Sequence, residues 1–323
     1  MSDPEKHVSK RTCLKSKRSR LILAIVVLIV IIVAVVPSVV VTTLKKDNMG
    51  PKAKVFVPLY VYPAPEAWAP LENVYVSIPF HLKFCFPPSY WIALYPSRIS
   101  THPDVNFTVV INPGNGPGPD SLPDGNYTRE IPKLTAYANV RLLGYVYTSY
   151  GNRNVSAVRK DIQTYADWPA NSSDPNLAVR GIFFDETPQQ YEPQTLTYLQ
   201  GLTDFVKDLD DLGPDQFVVH NPGAVPDSRY LATADSTVVF EAAYTTFQER
   251  QGARMFTNIA DSNRTQLCAI VHSVPDAVEG KALRSLVKQV RQVADEVYIT
   301  HLSTDYYASF GARWTEFVDL MAA

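Results

Sequence analysis

Cysteine and histidine are scarce in this sequence. Its 323 residues include three cysteines and six histidines. No Cys/His set stands at zinc spacing, and neither H-x-x-x-H nor H-E-x-x-H occurs. No calcium-loop spacing appears. No G-x-G-x-x-G turn is present, which argues against a doubly wound dinucleotide-binding sheet. The Gly/Pro stretch "NPGNGPGPDS" at 112–121 has no following lysine. Its prolines also lack the N–H donors that would cradle a phosphate. Net charge is nearly absent too, at −2. That figure hides an uneven spread. Residues 1–20 carry seven Lys/Arg against Asp3 and Glu5, a net of +5, so the remainder carries −7. A mildly acidic body is a poor binder of nucleic acid, where phosphate contacts dominate affinity.

What is present begins with a membrane signal. Residues 21–41, "LILAIVVLIVIIVAVVPSVVV", contain no charge, and a helix of that length spans a bilayer core of roughly 30 Å. The run is too long for a signal-peptide core and no clear small-residue cleavage site follows it. The basic cluster precedes it, so the positive-inside rule predicts a cytosolic tail at 1–20 and a single-pass type II anchor at 21–44. A linker at 45–54 leads to an extracytoplasmic domain in the secretory lumen or at the cell surface. Five N-x-[ST] sequons, at Asn106, Asn126, Asn154, Asn171 and Asn263, all lie after the anchor. Cys13 is predicted to be cytosolic, while Cys85 and Cys268 could pair in an oxidising compartment.

From residue 55 onward, short β-branched or aromatic runs alternate with amphipathic stretches. The runs are "VFVPLYVYP" (55–63), "NFTVVINP" (106–113), "VRLLGYVYT" (140–148), "VRGIFFDET" (179–187), "FVVHNPG" (217–223), "TVVFEAAY" (237–244), "QLCAIVHSV" (266–274) and "EVYITHLS" (296–303). Eight such units predict an α/β fold, a (β/α)8 TIM-type barrel over 55–323. Sites in these barrels lie at the C-terminal ends of the strands. Those ends carry Tyr60, Asn112, Tyr147, Asp185, Glu186, His220, Asn221, Glu241, Tyr244 and His272. The acids stand out because apolar runs precede them: "GIFF" before Asp185 and "TVVF" before Glu241.

Two carboxylates on one rim suit glycoside hydrolysis, one as acid and one as nucleophile or base. Tyr60, Asn112, Tyr147, His220, Asn221, Tyr244 and His272 are the candidate substrate-binding groups. No cofactor and no metal is expected. Two alternatives stay open: a non-catalytic polysaccharide-binding barrel, and a metal-dependent carbohydrate deacetylase built on Asp185, His220, His272 and His301.

The motifs "VFVPLYVYPAP", "HPDVNFTVVINPGNGPG", "LLGYVYTSYG", "GIFFDE" and "FVVHNPG" resemble the fungal spherulin-4-like proteins, glycoside hydrolase family 135. The resemblance implies an endo-acting enzyme that cleaves α-1,4-linked N-acetylgalactosamine in galactosaminogalactan, a cell-wall exopolysaccharide. It places the family's acids on Asp185, Glu186 and Glu241. By analogy with α-retaining barrel glycosidases, Asp185 is the expected nucleophile, Glu241 the acid/base, and Glu186 a residue that orients or tunes Asp185. One stretch departs from the pattern. Residues 73–99 hold an aromatic- and proline-rich run with no helical period, expected to be an insertion or a retained intron. Cys85 lies within it, which weakens the disulfide expectation.

Overall fold

The computed structural model describes residues 49–72, 98–252, 256, 259 and 262–323. The basic tail, the predicted anchor at 21–44, Cys13, Cys85 and residues 73–97 lie outside the described residues. Cys268 is a buried free thiol. Among the described residues no helix is long and apolar enough to cross a membrane.

Eight parallel strands close into a barrel in sequence order, with β1 paired to β8. They are β1 (Lys54–Leu59), β2 (Phe107–Ile111), β3 (Val140–Tyr147), β4 (Gly181–Asp185), β5 (Phe217–His220), β6 (Ser236–Ala243), β7 (Leu267–His272) and β8 (Glu296–Ile299). Each coincides closely with a run expected to be a strand. The reason is burial on both faces, from the interior and from the helix layer, so such strands read as nearly unbroken apolar segments. All five residues of β2 are buried, as are the first four of β4.

The outer layer holds α1 (Arg98–Thr101), α2 (Gly125–Thr135), α3 (Val155–Ser172), α4 (Pro193–Lys207), α5 (Ser228–Leu231), α6 (Tyr244–Gly252), α7 (Lys281–Val293) and α8 (Trp314–Ala322). Their starts carry local signals. Asp124 caps α2 by accepting from the Asn126 N–H at 2.8 Å, and Asn154 caps α3 from the Ser156 N–H at 2.8 Å. Pro193 opens α4. On α7, Leu283, Leu286, Val287 and Val290 are buried at helical spacing.

Two interior features position the rim. At the N-terminal end, the buried Glu296 carboxylate accepts from the hydroxyls of Thr108 (2.6 Å) and Ser236 (2.8 Å). These bonds join β8, β2 and β6, so Ser236 faces inward. Further along β6 the pairing with β7 slips between Val238 and Phe240, leaving Val239 as a bulge. The bulge reverses the alternation of faces. Phe240 turns outward onto Phe247 of α6 (ring centroids 5.3 Å apart), and Glu241 turns into the barrel mouth. Unbroken alternation from Ser236 would have sent Glu241 into the helix layer.

Candidate active site

Asp185 ends β4, and its carboxylate receives two donors. The Tyr145 hydroxyl donates to Oδ2 at 2.8 Å, and the Asn221 amide donates to Oδ1 at 2.8 Å. The same Asn221 nitrogen donates to Glu241 Oε2 at 2.7 Å. Two bonds sharing one nitrogen cap the distance between their acceptor oxygens at the total of the two, 5.5 Å. The other Glu241 oxygen accepts from the Tyr307 hydroxyl at 2.5 Å. Tyr145, Asp185, Asn221, Glu241 and Tyr307 therefore form one continuous chain of hydrogen bonds across the mouth.

The two acids have different surroundings. Burial pushes the Glu241 carboxyl above the ordinary carboxylate range. The Tyr307 and Asn221 hydrogen bonds pull it back, and the Asp185 charge pushes it up again. Burial followed by the Asp185 charge raises the Tyr145 hydroxyl well above its usual value, so it stays a donor. Tyr307 is likewise held protonated by burial and by Glu241.

Glu186 follows Asp185 with φ of +53°, in the left-handed region. This turn ends β4. The backbone is pinned there: the Glu186 carbonyl accepts from the Tyr150 N–H (2.6 Å) and the Thr148 hydroxyl (2.8 Å), and the Asp185 carbonyl from the Thr148 N–H (2.9 Å). The Glu186 charge also contributes to raising the Tyr145 hydroxyl. Among the described residues its carboxylate has no hydrogen bond or ion pair. Asp185, which has two donors, is thus the acid of the pair that is built into the network.

The other expected binding residues divide. Tyr60 reaches the centre. Its ring lies edge-on to Tyr145 (5.6 Å) and Tyr307 (5.3 Å). Asn221 is the bridge between the acids. Tyr147 shares the inward face of β3 with Tyr145, and the Arg153 guanidinium covers its ring at 3.9 Å. His272 ends β7 with its ring stacked on Tyr306 (4.2 Å), and burial lowers its imidazole. Asn112 instead accepts from the Gly116 N–H at 2.9 Å, shaping its own loop. Tyr244 begins α6 and packs against the apolar core.

His220 corrects the expectation of a rim imidazole. It is 2 % exposed, near the hydroxyls of Thr203 and Thr233 (each 3.4 Å), with Phe184 edge-on. Burial drops it to about 3, so it is neutral. The cause is the strand period of two: Asn221 points into the mouth, and its neighbour therefore points into the helix layer. His301 meets the Val278 carbonyl at 3.2 Å. Among the described residues, no group of three or more His, Cys, Asp or Glu is placed to hold a metal ion.

Tyr145, Tyr306 and Tyr307 join the site without having been singled out in the sequence. Tyr145 could have been found, since it lies two residues before Tyr147 on the same strand face. Tyr306 and Tyr307 sit in the loop after β8, where no periodicity marks a direction.

A closed eight-stranded parallel barrel with two carboxylates bridged at its C-terminal mouth defines a TIM-type barrel with a two-acid centre. The chain belongs to the Spherulin4 family, the spherulation-specific family 4, whose model matches residues 54–321. It is 34 % identical over 195 residues to Spherulin-4 of Physarum polycephalum, a match covering 59 % of this chain and 45 % of that protein. The chain thus matches less than half the length of that relative. It is also similar to the crystal structure of Aspergillus clavatus Sph3 in complex with GalNAc. That likeness has 67 % identity and a TM-score of 0.76, covering 85 % of this chain and 99 % of that one.

Proposed function

We propose that this protein is an endo-acting glycoside hydrolase that cleaves α-1,4-linked N-acetylgalactosamine within galactosaminogalactan. The observation that carries the reading is the Asn221 bridge, which holds Asp185 and Glu241 oxygens no more than 5.5 Å apart. Retaining glycosidases space their carboxyls by about 5–5.5 Å, and inverting ones by roughly 6.5–9.5 Å. The spacing supports retention of anomeric configuration. The likeness to Sph3 in complex with GalNAc supports the choice of sugar.

In this mechanism the Asp185 carboxylate, oriented by Tyr145 and Asn221, attacks the anomeric carbon. Glu241 gives its proton to the departing glycosidic oxygen. Once Asp185 is glycosylated, its negative charge is gone, and the raising influence on Glu241 goes with it. Glu241 then takes a proton from water, whose oxygen attacks the anomeric carbon and releases Asp185. The carboxylate alternates between acid and base because its neighbour's charge alternates. Glu186 orients Asp185 through the pinned turn.

The test is incubation of the purified protein with α-1,4-linked galactosamine polymers of varied acetylation. Oligosaccharide release with retained configuration by NMR is expected; no release from any of them would reject the assignment.

A pH prediction follows from Tyr307. It donates to Glu241, which favours the ionised carboxylate and lowers its pKa. Tyr307→Phe removes that donor, so Glu241 holds its proton to higher pH. The alkaline limb of kcat/KM should therefore move upward. A downward or absent shift in the measured profile would contradict the role of Glu241 as acid.

The same proposal keeps the type II anchor at 21–44 and an extracytoplasmic barrel. Asn106, Asn154, Asn171 and Asn263 are exposed. Asn154 and Asn263 cap helices through Oδ1, which leaves Nδ2, the atom that carries a glycan. Asn126 instead donates its Nδ2 to the Tyr62 hydroxyl at 2.6 Å. Glycopeptide mass spectrometry of the protein from a eukaryotic secretory host should find Asn106, Asn154 and Asn263 occupied and Asn126 the least. Unmodified peptides at every sequon would count against the lumenal placement.

A further inference from the structure

Next to Glu186, the residue that follows Asp185, lies a feature the mechanism does not use. Tyr150, in the loop from β3 to α3, is 58 % exposed, although a tyrosine ring is largely apolar. Its backbone is held with φ of +56°, and Ser149 before it has φ of +49°. Consecutive left-handed non-glycine residues cost energy and persist only where surrounding contacts over-determine them. Here the Tyr150 N–H is tied to the Glu186 carbonyl at 2.6 Å, and the Gly151 N–H to the Thr148 carbonyl at 3.1 Å. The strained turn thus presents an aromatic face to solvent, tied to the residue that follows Asp185.

The ring opens onto a cavity of about 360 Å³ that Asn152, Gln189 and Glu192 also line. Asn152 donates its amide to the Ser149 carbonyl at 3.0 Å, and Gln189 its amide to the Pro222 carbonyl at 2.6 Å. Among the described residues neither side-chain carbonyl oxygen accepts a hydrogen bond, so both are open to other donors. Glu192 adds a carboxylate, and no described lining residue is cationic. An aromatic plate beside several acceptors and no cation fits a pyranose ring. Its C–H face would pack on the plate, while its hydroxyl or amino groups donate to the oxygens.

We propose that Tyr150, with Asn152, Gln189 and Glu192, forms a second sugar subsite that binds a unit of the polymer flanking the one held at Asp185 and Glu241. The inference rests on the hydrolase reading and deepens it: the subsite accounts for grip on the interior of a chain rather than on its end.

The experiment compares the wild type with Tyr150→Asn and Tyr150→Phe on α-1,4-linked galactosamine oligosaccharides of increasing length. Asparagine tolerates the left-handed backbone and removes the ring, whereas phenylalanine keeps the ring. Tyr150→Asn should raise KM for the longest substrates about three- to tenfold, with a smaller effect on the shortest one cleaved. Tyr150→Phe should stay close to wild type. An unchanged KM at every length would overturn the subsite, as would a kcat loss equal at every length, which would mark Tyr150 as a prop for Glu186. Retardation in polymer-loaded native gels, with Asp185→Asn as background, reads binding without cleavage. Equal retardation with and without Tyr150→Asn would overturn the subsite even if no hydrolysis were detected. Absence of hydrolysis would by itself reject only the enzyme reading.

Discussion

Asp185→Asn is expected to lower kcat on the polymer by at least about a thousandfold. The substitution preserves shape but replaces the proposed nucleophile, a carboxylate, with a neutral amide. It also sets one of the donors, Tyr145 or Asn221, against an amide N–H, because an asparagine side chain has only one oxygen for two donors. The loss should persist with aryl glycosides, since a better leaving group does not replace a missing nucleophile. Glu241→Gln should fail comparably on the polymer, where the departing oxygen needs a proton. On aryl glycosides, whose leaving groups need less protonation, much of its first step should return. Glu186→Gln should cost less than either, because Glu186 enters the centre through its backbone turn. Steady-state kinetics on both substrate types separates these cases. If Glu186→Gln were inactive on aryl substrates and Asp185→Asn active on the polymer, the division of roles would fail. Full activity in both Asp185→Asn and Glu241→Gln would leave a barrel that binds polysaccharide without cutting it by this pair.

Gly181→Ala carries the largest expected effect on stability. Gly181 opens β4 with φ of +148°, and a Cβ there would lie 2.0 Å from the Phe217 carbonyl oxygen and 2.5 Å from its nitrogen. Both are backbone atoms of β5. The Phe217 N–H is already bonded to the Arg180 carbonyl at 2.9 Å. No rotamer can relieve the overlap, so strands must separate or the register must shift. Overpacking at a rigid contact costs typically about 1–3 kcal/mol, and a backbone conformation closed to alanine adds to it. A loss of about 3 kcal/mol corresponds to a fall in Tm of roughly 6–12 °C for a domain of this size. Because Asp185 stands at the other end of the same strand, activity should fall as well. Gly201→Ala is the control: it lies within α4, where an added methyl group would meet nothing within 4 Å, and alanine there should stabilise by about 0.5–1 kcal/mol. Differential scanning calorimetry of both variants checks the pair, and equal melting would refute the steric argument.

The eight strands were legible because a parallel barrel buries each strand on both faces. Continuous apolar runs such as "TVVI" and "GIFF" are the direct imprint of that burial. The acids at the ends of β4 and β6 were legible for a related reason: a charge directly after such a run must reach the mouth or find a partner. Tyr147 and Tyr60 followed from the same rule of strand ends.

Facing was harder to read. His220 and Asn221 are adjacent polar residues at one strand end, and the period of two sends them to opposite sides. Their order gives no sign of which side is the interior. That depends on how β5 registers against β4 and β6, with Val219 beside Phe183 and Ser236, which is a long-range pairing. Glu241 shows the same limit more sharply. Counting from Ser236 in strict alternation turns it toward the helices, and only the bulge at Val239, defined by pairing to β7, returns it to the mouth. Tyr307 reaches Glu241 across 66 residues of sequence. By itself, then, the sequence determined the barrel and its strand ends, with acids standing after apolar runs, because those follow from local burial. The tertiary structure alone decided which neighbours face the mouth and how closely Asp185 and Glu241 approach, because strand register and loop closure are set by contacts between residues far apart in the chain.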